Sequence, residues 1–418
     1  MRSAATKPLH AFSAYGVELE YMIVDRNTLD VHPMADALLR DGWGSPVCEL
    51  TRDRLGWSNE LTLHVIELKN LAPEPDLARL VEDFQAEVRE INRRLADREA
   101  QLMPTGMHPW MDPARQCHLW PHEHAEIYQA YDHVFDCCHQ GFANIQSAHL
   151  NLPFADDREF ARLHAAIRLL LPLLPALAAS SPLAWGGPTG FLDTRLEAYL
   201  THQARVPQTL GLVIPDTITG MNEYRDRILT PMYEAVAPLD PAGTLRHEWL
   251  NARGVIPRFE RMALEIRLMD MQEYPGADLA VCATVAAAVQ RLYRAGESPA
   301  ALQAQQDYPT EGLAEMLRAA AHDADRMPIR DPAYLALLDM PPAQCTAGEA
   351  WRHLIDAWWR EEPGQRQAWG KPLDVILEHG PLARRILRAV GAECPRSLQE
   401  TVYWSLCDCL DKGYSFVW

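Results

Sequence analysis

The sequence predicts an α+β protein, with β-strands in the first two thirds of the chain and helices in the last third. Residues 15–25 form an apolar run in which two glutamates stand two positions apart, as on one face of a β-strand. Between residues 77 and 102 the apolar residues recur at every third or fourth position, which predicts one long amphipathic helix. Beyond Tyr274 the pattern predicts helices at residues 277–295, 310–322, 346–361 and 372–390.

The composition limits the class of protein. The chain has 418 residues, of which 48% are hydrophobic, so it can build a large core. We expect a catalytic core over residues 1–300 and a helical part over residues 301–418 that packs on it within one structural domain. A net charge of −18 with no basic stretch argues against nucleic-acid binding. The longest apolar stretch, residues 167–179, is broken by two prolines and is too short for a membrane span.

The nine cysteines show no regular spacing, and we expect all of them to be reduced thiols in a cytoplasmic protein. Cys407 and Cys409 lack a second nearby pair, so a zinc site is not expected there. Residues 1–12 contain no apolar segment of the signal-peptide type. We interpret His122 and His124 as exposed loop residues rather than metal ligands.

The site is predicted around two glutamates of the first strand. Glu18 and Glu20 share one face of this strand, while Val17, Leu19 and Tyr21 share the other. Burial of two like charges side by side is costly unless cations or hydrogen-bond donors compensate them. The strand is therefore either an edge strand with one solvated face or part of a site for a divalent metal ion.

The second strand-like stretch lies upstream of the long helix. Its alternation shifts midway, so either Glu60 or Glu67 could share the face of the first pair, and we favour Glu67. Asp76 follows as the predicted N-cap of the long helix. The four strand-like stretches are residues 15–25, 60–70, 144–153 and 258–270.

The third and fourth stretches repeat the spacing of two. The third places His149 and Asn151 on one face, and the fourth does the same for Glu265 and Arg267. Between them, Asp156 or the aspartate that follows it is the predicted cap of a helix that runs to Ala179 and is kinked by its prolines.

If the four strands are adjacent, they gather ligands suited to a hard cation: Glu18, Glu20, Glu67, His149 and Glu265. Carboxylates with few thiols favour Mg²⁺ or Mn²⁺, and Mg²⁺ commonly joins protein carboxylates to substrate phosphates. The planar guanidinium of Arg267 would match the oxygens of a phosphate group beside them. No Gly-x-x-x-x-Gly-Lys-Ser/Thr loop occurs, which excludes a Walker-type nucleotide site.

Seven short motifs, taken together, resemble the type 2 glutamate–cysteine ligase family, also called the YbdK-like carboxylate–amine ligases. More distantly the chain resembles glutamine synthetase, in which a Glu-x-Glu strand, a histidine strand and a Glu-x-Arg strand line the metal site. In chain order the motifs are Gly16-x-Glu18-x-Glu20, Glu67-Leu-Lys, Gly106-x-His108-Pro109, His149-x-Asn151, Ser180-Ser181-Pro182, Thr189-Gly190 with Arg195, and Glu265-x-Arg267.

The resemblance implies a curved antiparallel sheet, flanked by helices, that cradles ATP and Mg²⁺ or Mn²⁺. It implies an enzyme that uses ATP to phosphorylate a substrate carboxylate, after which an amine displaces the phosphate and forms an amide, such as a γ-glutamyl amide. Carried over residue by residue, the metal ligands would be Glu18, Glu20, Glu67, His149 and Glu265.

The resemblance also implies which residues bind the nucleotide and act in catalysis. Arg267 and Glu67 would be the catalytic residues, with Arg267 on the phosphates. Members of the family often have a second histidine where this chain has Asn151, which bears on amino-acid recognition. Arg195 is expected near the mouth of the site. The residues expected to bind nucleotide or substrate are Arg195, Arg258, Arg261, Arg267 and Asn151.

Two other functions stay open from the sequence. A phosphotransferase on the same scaffold would leave the phosphate on its substrate, and a non-catalytic nucleotide or metabolite sensor would keep the sheet without turnover. We expect small-molecule partners, an amino acid or other carboxylate plus an amine, and the helical C-terminal part offers surfaces for a homodimer. Glu60 and His64 are candidates for the base that deprotonates the amine.

Overall fold

The structure is a computed structural model that describes residues 8–341 and 343–418, and its centre is an eight-stranded antiparallel sheet. The strands are β1 (Gly16–Asp25), β2 (Glu49–Thr51), β3 (Leu55–Asn59), β4 (Val65–Asn70), β5 (Ala100–Met103), β6 (Ser147–Pro153), β7 (Leu183–Ala184), β8 (Gly187–Pro188), β9 (Val255–Arg258), β10 (Ala263–Asp270), β11 (Pro328–Ile329) and β12 (Cys345–Thr346). Seven strands follow the order β2-β3-β4-β1-β6-β10-β9, and β5 pairs with the C-terminal half of β1. The pairs β7–β8 and β11–β12 form two small separate ribbons.

Helices surround the sheet. They are α1 (Ala35–Leu38), α2 (Leu80–Ala96), α3 (Pro113–Gln116), α4 (Ala125–Phe135), α5 (Gln140–Ala143), α6 (Asp157–Leu170), α7 (Pro175–Ala178), α8 (Thr194–Tyr199), α9 (Pro207–Leu210), α10 (Met221–Tyr224), α11 (Thr230–Val236), α12 (Pro275–Ala295), α13 (Pro299–Asp307), α14 (Thr310–Asp323), α15 (Pro332–Leu337), α16 (Ala347–Glu361), α17 (Pro363–His379), α18 (Leu382–Val390) and α19 (Arg396–Lys412). Short 3-10 turns lie at Leu77–Arg79, Leu171–Leu173, Glu248–Leu250 and Ala324–Arg326, and a π-helical turn lies at Arg225–Leu229. Among the described residues, none of the helices combines the length and the apolar character that a membrane span requires.

One face of the sheet packs into the hydrophobic core. Val17, Leu19, Tyr21 and Ile23 of β1 are buried there, and helices α2, α6 and α12 contact the strands from this side. Strand β1 pairs with β4, β5 and β6, so it lies in the middle of the sheet. The interpretation of β1 as a solvated edge strand is therefore wrong, and its glutamates face a buried site.

The predicted α+β class is confirmed, but the long amphipathic helix is shorter than its pattern suggests. Asp76 caps the turn before α2 by accepting a hydrogen bond from the Ala78 N–H at 3.1 Å, as expected. The helix ends at Ala96 rather than at residue 102, because Glu99 adopts a left-handed backbone conformation (φ 53°) and the chain then enters β5. Leu102 therefore belongs to a strand, and its N–H donates to Asn92 Oδ1 at 2.8 Å.

The helix after the third strand starts where it was predicted, but it is interrupted at its prolines and does not run as one helix to Ala179. Asp156 caps α6 by accepting from the Glu159 N–H at 2.9 Å, and α6 ends at Leu170, ahead of Pro172 and Pro175. The hairpin of β2 and β3 was not predicted, because residues 26–59 contain several glycines and prolines that resemble a connecting loop.

The expectation that all cysteines are free is wrong for one pair. Cys117 and Cys138 form a disulfide with their Cα atoms 5.5 Å apart, although 21 positions separate them in the sequence. The spacing of the cysteines in the sequence did not indicate this pair. The two cysteines meet only because the turns before and after α4 bring the chain back to the same place. The other seven cysteines are free, including Cys407 and Cys409.

Buried histidines predict that acid destabilises the fold. His108 is fully buried, its Nε2–H donates to the Leu29 carbonyl at 2.7 Å, and burial lowers its pKa to about 4. The unfolded chain takes up this proton near pH 6.5 and the folded chain only near pH 4, so stability falls as the pH drops between these values. We expect His108→Gln to remove up to about 3 kcal/mol of this pH dependence in urea unfolding.

The control for this prediction is His322→Gln, because the His322 side chain is 57% exposed. This variant should keep the pH dependence of the parent protein. An equal change of stability with pH in His108→Gln and in the parent would contradict the assignment of the effect to His108.

Candidate active site

The second face of the sheet is polar, and we call it the polar face. It gathers side chains from six neighbouring strands: Ser58, Glu67, Lys69, Glu18, Glu20, Ser147, His149, Asn151, Glu265, Arg267 and Arg258. Because the strands are antiparallel and in register, Glu18 lies beside both Lys69 and His149, and Glu20 lies beside Glu67. The four strand-like stretches of the sequence therefore meet on one surface, as predicted.

Two overlapping groups of ligand atoms on this face are suited to metal ions. Ligand atoms of Glu18, Glu67 and His149 lie within 4.8 Å of one another, and so do those of Glu20, Glu60 and Glu67. Since Glu67 belongs to both groups, the two groups lie side by side on the face. Carboxylate oxygens with one imidazole and no thiol form a donor set that fits Mg²⁺ or Mn²⁺.

His149 is bound from both sides of its ring. Its Nδ1 lies 3.0 Å from Glu18 Oε2, and its Nε2 lies 2.9 Å from Ser147 Oγ. Burial opposes ionisation of Glu18, but the hydrogen bond and charge of His149 outweigh it and lower the pKa of Glu18 to about 2. Burial likewise lowers the pKa of His149, and the carboxylates of Glu18, Glu20 and Glu265 outweigh it and raise that pKa. Without a metal ion, the protonated imidazole of His149 is therefore favoured beside the ionised Glu18.

The second group carries an excess of negative charge. Burial and the nearby charge of Glu18 raise the pKa of Glu67 to about 7, although Ser58 Oγ donates to it at 2.6 Å and Lys69 Nζ lies 3.4 Å away. Burial, and then the charges of Glu20 and Glu67, raise the pKa of Glu60 well above its usual range. Carboxylates whose ionised forms crowd one another in this way are suited to bind a divalent cation.

Glu265 lies on the polar face but outside both metal-capable groups. Its two oxygens are held by two arginines: Arg258 Nη1 donates to Oε2 at 2.7 Å, and Arg267 Nε lies 3.2 Å from Oε1. Arg267 also donates from Nη1 to the Asn251 carbonyl at 3.3 Å. The structure therefore places Glu265 as the residue that orients the two guanidinium groups, and its predicted role as a metal ligand stays a prediction.

Two further predicted residues lie at the border of the site. Arg261 is a rim residue, with a side chain 58% exposed and Nη1 3.8 Å from Glu18 Oε1. Asn151 is buried and donates from Nδ2 to Glu18 Oε1 at 3.3 Å, while its Oδ1 has no partner in the described part of the chain. Asn151 thus positions the carboxylate of Glu18.

The expected position of Arg195 near the mouth of the site is wrong. Arg195 is only 1% exposed, and its guanidinium forms an ion pair with the buried Asp270. Asp270 also accepts from the Ser180 N–H at 2.8 Å and from Ser181 Oγ at 2.7 Å. The motif Ser180-Ser181-Pro182 therefore holds this ion pair together, and any role of Arg195 in binding substrate stays a prediction.

The Arg195–Asp270 pair predicts a large loss of stability when it is broken. Asp270→Ala removes the carboxylate that pairs directly with a buried guanidinium, which costs about 3–5 kcal/mol in urea unfolding. The matched control is Asp408→Ala, which removes an exposed ion pair with Lys412 (2.7 Å) and should cost less than about 0.5 kcal/mol. Equal losses in the two variants would contradict a structural role for the buried pair.

A cavity of about 410 Å³ opens from the polar face. Its charged and titratable lining residues include Glu20, Glu60, His149, Arg258 and Arg267. The rest of its wall comes from α4, α5, α8 and the segments beside them, which cover this part of the sheet. In the described part of the chain no residue beyond Arg267 lines this cavity.

The structure adds one glutamate that the sequence left as an alternative and several residues that the sequence did not identify. Glu60 joins Glu20 and Glu67 although only Glu67 was favoured, because the turn before β4 brings both glutamates to the site. The only sign of this in the sequence was the shift in the alternation of apolar and polar residues between residues 60 and 70. Tyr131, Tyr199 and Trp249 line the cavity from distant segments, and nothing in their local sequence marks them. His64 is buried outside the cavity lining and bonds to the Ala143 carbonyl at 2.8 Å.

Comparison with known proteins gives three results. A sequence model described as glutamate-cysteine ligase family 2 (GCS2) matches residues 14–401. The chain is 39% identical over 272 residues to an uncharacterized protein of Archaeoglobus fulgidus, with coverage of 65% of this chain and 73% of that protein. It is 25% identical over 306 residues to a Bradyrhizobium diazoefficiens protein named "Putative glutamate--cysteine ligase 2", with coverage of 70% of this chain and 63% of that protein.

A solved structure shares the fold. The crystal structure of glutamate–cysteine ligase from Francisella tularensis in complex with AMP aligns with a TM-score of 0.58 over 97% of this chain and 90% of that chain. The sequences are 13% identical in this alignment, so the similarity concerns the fold. It confirms the predicted fold class, an antiparallel sheet flanked by helices in the manner of the glutamine synthetase-like ligases.

Proposed function

Because the chain belongs to the glutamate–cysteine ligase family 2 and is thus an enzyme of the carboxylate–amine ligase type, we propose that it consumes ATP to join a carboxylate to an amine through an acyl phosphate. The observation that carries the proposal is the presence of two opposite charge environments in the lining of one cavity. Carboxylates suited to divalent cations lie beside two arginines, Arg258 and Arg267, that face the same space.

The carboxylates would hold two divalent cations, one among Glu18, Glu67 and His149 and one among Glu20, Glu60 and Glu67. When bound, such ions neutralise the phosphate charge that would otherwise repel the attacking carboxylate. The ligands would be in place before a cation binds, because the strand register fixes the backbone positions of all of these residues except Glu60.

Arg267 has the geometry of a phosphate-binding residue. Its guanidinium is oriented by Glu265 and by the Asn251 carbonyl, so it needs little reorganisation to donate to the oxygens of a transferred phosphoryl group. Arg258 is oriented by the same carboxylate and extends the clamp. Stabilisation of the charge on the phosphoryl group during transfer is the main catalytic contribution that we assign to these side chains.

The amine must lose a proton before or during its attack on the acyl phosphate. Glu60 lines the cavity and is the better placed of the two candidate bases, because His64 lies outside the lining and burial lowers its pKa to about 3. The amine nitrogen then forms the amide bond, the acyl C–O bond breaks, and phosphate leaves. The products are an amide, ADP and inorganic phosphate.

The test is incubation of the purified protein with ATP, Mg²⁺ and pools of carboxylic acids and amines. We expect phosphate and ADP to form in equal amounts with a new amide, detected by mass spectrometry, only when both an acid and an amine are present. A phosphorylated metabolite without free phosphate would instead establish a phosphotransferase. ATP binding without any product across broad pools would favour the sensor and contradict the ligase.

A further inference from the structure

A thiol, an imidazole and a carboxylate meet at the protein surface, outside the lining of the cavity. Cys48 lies just before β2, while Glu123 and His124 form the turn that leads into α4. Ligand atoms of these three side chains lie within 4.8 Å of one another, and we call them the Cys48 cluster. The sequence indicated only exposed loop histidines in this turn, because Cys48 reaches it from a distant part of the chain.

The backbone around the Cys48 cluster is held in place by hydrogen bonds. The Cys48 thiol donates to the Glu123 carbonyl at 3.0 Å, and the buried indole of Trp120 donates to the same oxygen at 3.0 Å. The Cys48 carbonyl accepts from the Asn59 N–H at 3.0 Å. These bonds use the main chain of Glu123, whereas its side chain and that of His124 are 64% and 57% exposed. The thiol and the turn are therefore fixed against each other while both other ligand groups face solvent.

The spacing of the ligand atoms suits one shared ion. His124 Nε2 lies 3.9 Å from Glu123 Oε1, which is too long for a hydrogen bond. Two ligands of a tetrahedral Zn²⁺ lie about 3.3–3.6 Å apart, as follows from metal–ligand bonds of about 2.0–2.3 Å. Rotation of exposed side chains closes a difference of this size, so the cluster can bind an ion without a change of the backbone.

A second carboxylate faces the other nitrogen of the His124 ring. His124 Nδ1 lies 3.9 Å from Glu126 Oε1. A histidine that binds a metal ion commonly donates its other N–H to a carboxylate, which fixes the tautomer and orients the ring. The adjacent His122 is instead bound to Asp36, with Nε2 to Oδ2 at 3.0 Å. Of the two histidines, His124 is thus the one whose surroundings match those of a metal ligand.

The thiol determines which kind of ion fits. Burial and the charge of Glu123 raise the pKa of Cys48, so without a cation the thiol stays protonated. A bound divalent ion replaces this proton and offsets the neighbouring carboxylate. A thiolate with an imidazole and a carboxylate suits Zn²⁺ and related transition metals, whereas Mg²⁺ prefers oxygen ligands alone. The Cys48 cluster therefore differs in selectivity from the metal-capable groups of the polar face, which contain no thiol.

We propose that Cys48, Glu123 and His124 form a Zn²⁺ site, separate from the metal-capable groups of the polar face. Three protein ligands leave the fourth position to solvent, so the ion is exchangeable. It joins the segment before β2 to the start of α4, and Ile127 and Tyr128 of α4 line the cavity. Zn²⁺ thereby stabilises this part of the cavity wall. No step of the proposed ligase reaction passes through the ion.

Co²⁺ is the probe for this site, because a thiolate–Co²⁺ bond gives a near-ultraviolet charge-transfer band that oxygen and nitrogen ligands do not give. The purified protein is titrated with Co²⁺ in excess Mg²⁺ and without a reductant, so that the disulfide between Cys117 and Cys138 stays closed. We expect the band to appear and to saturate. Added Zn²⁺ should abolish it, because such sites bind Zn²⁺ more tightly than Co²⁺.

Three variants locate the band. Cys48→Ser should abolish it, and the serine hydroxyl can keep the hydrogen bond to the Glu123 carbonyl. His124→Gln, at an exposed ring, should raise the Co²⁺ concentration for half-saturation by at least about 10-fold. The matched control is Cys345→Ser, which removes another half-buried free cysteine outside the cluster and should leave the titration unchanged.

Thermal unfolding supplies a readout of the structural role. Zn²⁺ added in excess Mg²⁺ should raise the melting temperature of the parent protein by about 2 °C or more beyond its effect on His124→Gln. A band that persists in Cys48→Ser, or no band at all, would overturn the site. A band that appears only at a large excess of Co²⁺, with equal effects of Zn²⁺ on both proteins, would show an adventitious ion only. These outcomes leave the ligase in place, since its own test is product formation with Mg²⁺.

Discussion

Replacing Arg267 by alanine is expected to lower the rate of ADP formation by about 10³-fold or more while the protein stays folded. The guanidinium lines the cavity beside the predicted metal ligands and is oriented by Glu265, so its loss removes charge stabilisation of the transferred phosphoryl group. Glu265 keeps Arg258 as a partner at 2.7 Å, so the substitution does not leave a buried carboxylate unpaired. The measurement is coupled detection of ADP at saturating ATP and substrates.

Two further variants test whether the loss of activity is specific to the guanidinium of Arg267. Arg267→Lys keeps the charge but loses the planar fork, and it should recover only part of the activity. Arg79→Ala removes an arginine whose side chain is 70% exposed and should leave the rate unchanged. Normal turnover in Arg267→Ala would remove this residue from the mechanism.

Replacing Glu67 by glutamine is expected to abolish metal-dependent activity and to stabilise the metal-free protein. Glu67 is the carboxylate shared by both metal-capable groups, so its loss impairs both cation positions, and activity should fall by about 10²-fold or more. In the absence of metal the same substitution removes one of several crowded negative charges. We expect a rise in melting temperature of a few degrees, equivalent to about 1 kcal/mol, in the presence of a chelator.

Mg²⁺ provides the complementary measurement. Added Mg²⁺ should raise the melting temperature of the parent protein, because an ion that binds only the folded state stabilises it, and this rise should be absent or small in Glu67→Gln. Glu82→Gln, on the exposed side of α2, should respond to Mg²⁺ like the parent. An unchanged response to Mg²⁺ in Glu67→Gln would show that Glu67 does not hold the ion.

The shared face of the polar residues could be predicted because strand geometry is simple. Residues two positions apart share a face, so Glu18 with Glu20, and Glu265 with Arg267, could be paired without knowledge of the fold. Which strands lie side by side cannot be read from this rule. The resemblance to the ligase family supplied that step, and the strand register between Glu18 and His149 agrees with it.

The remaining features depend on contacts between distant segments. Arg195 was expected at the mouth of the site, but the fold buries it against Asp270, 75 positions later. The rings of Tyr131 and Trp249 meet in the cavity wall although their segments are more than a hundred residues apart, and no local pattern marks such an encounter. The disulfide between Cys117 and Cys138 was missed for the same reason.

The most direct test of the account follows an oxygen atom. If the enzyme activates a carboxylate as an acyl phosphate, one oxygen of that carboxylate must leave in the phosphate when the amine attacks. With a substrate acid labelled with ¹⁸O in its carboxylate, the account predicts that the released phosphate carries one labelled oxygen for each amide formed. Phosphate free of label, alongside amide formation, would contradict the acyl phosphate and the site mechanism built on it.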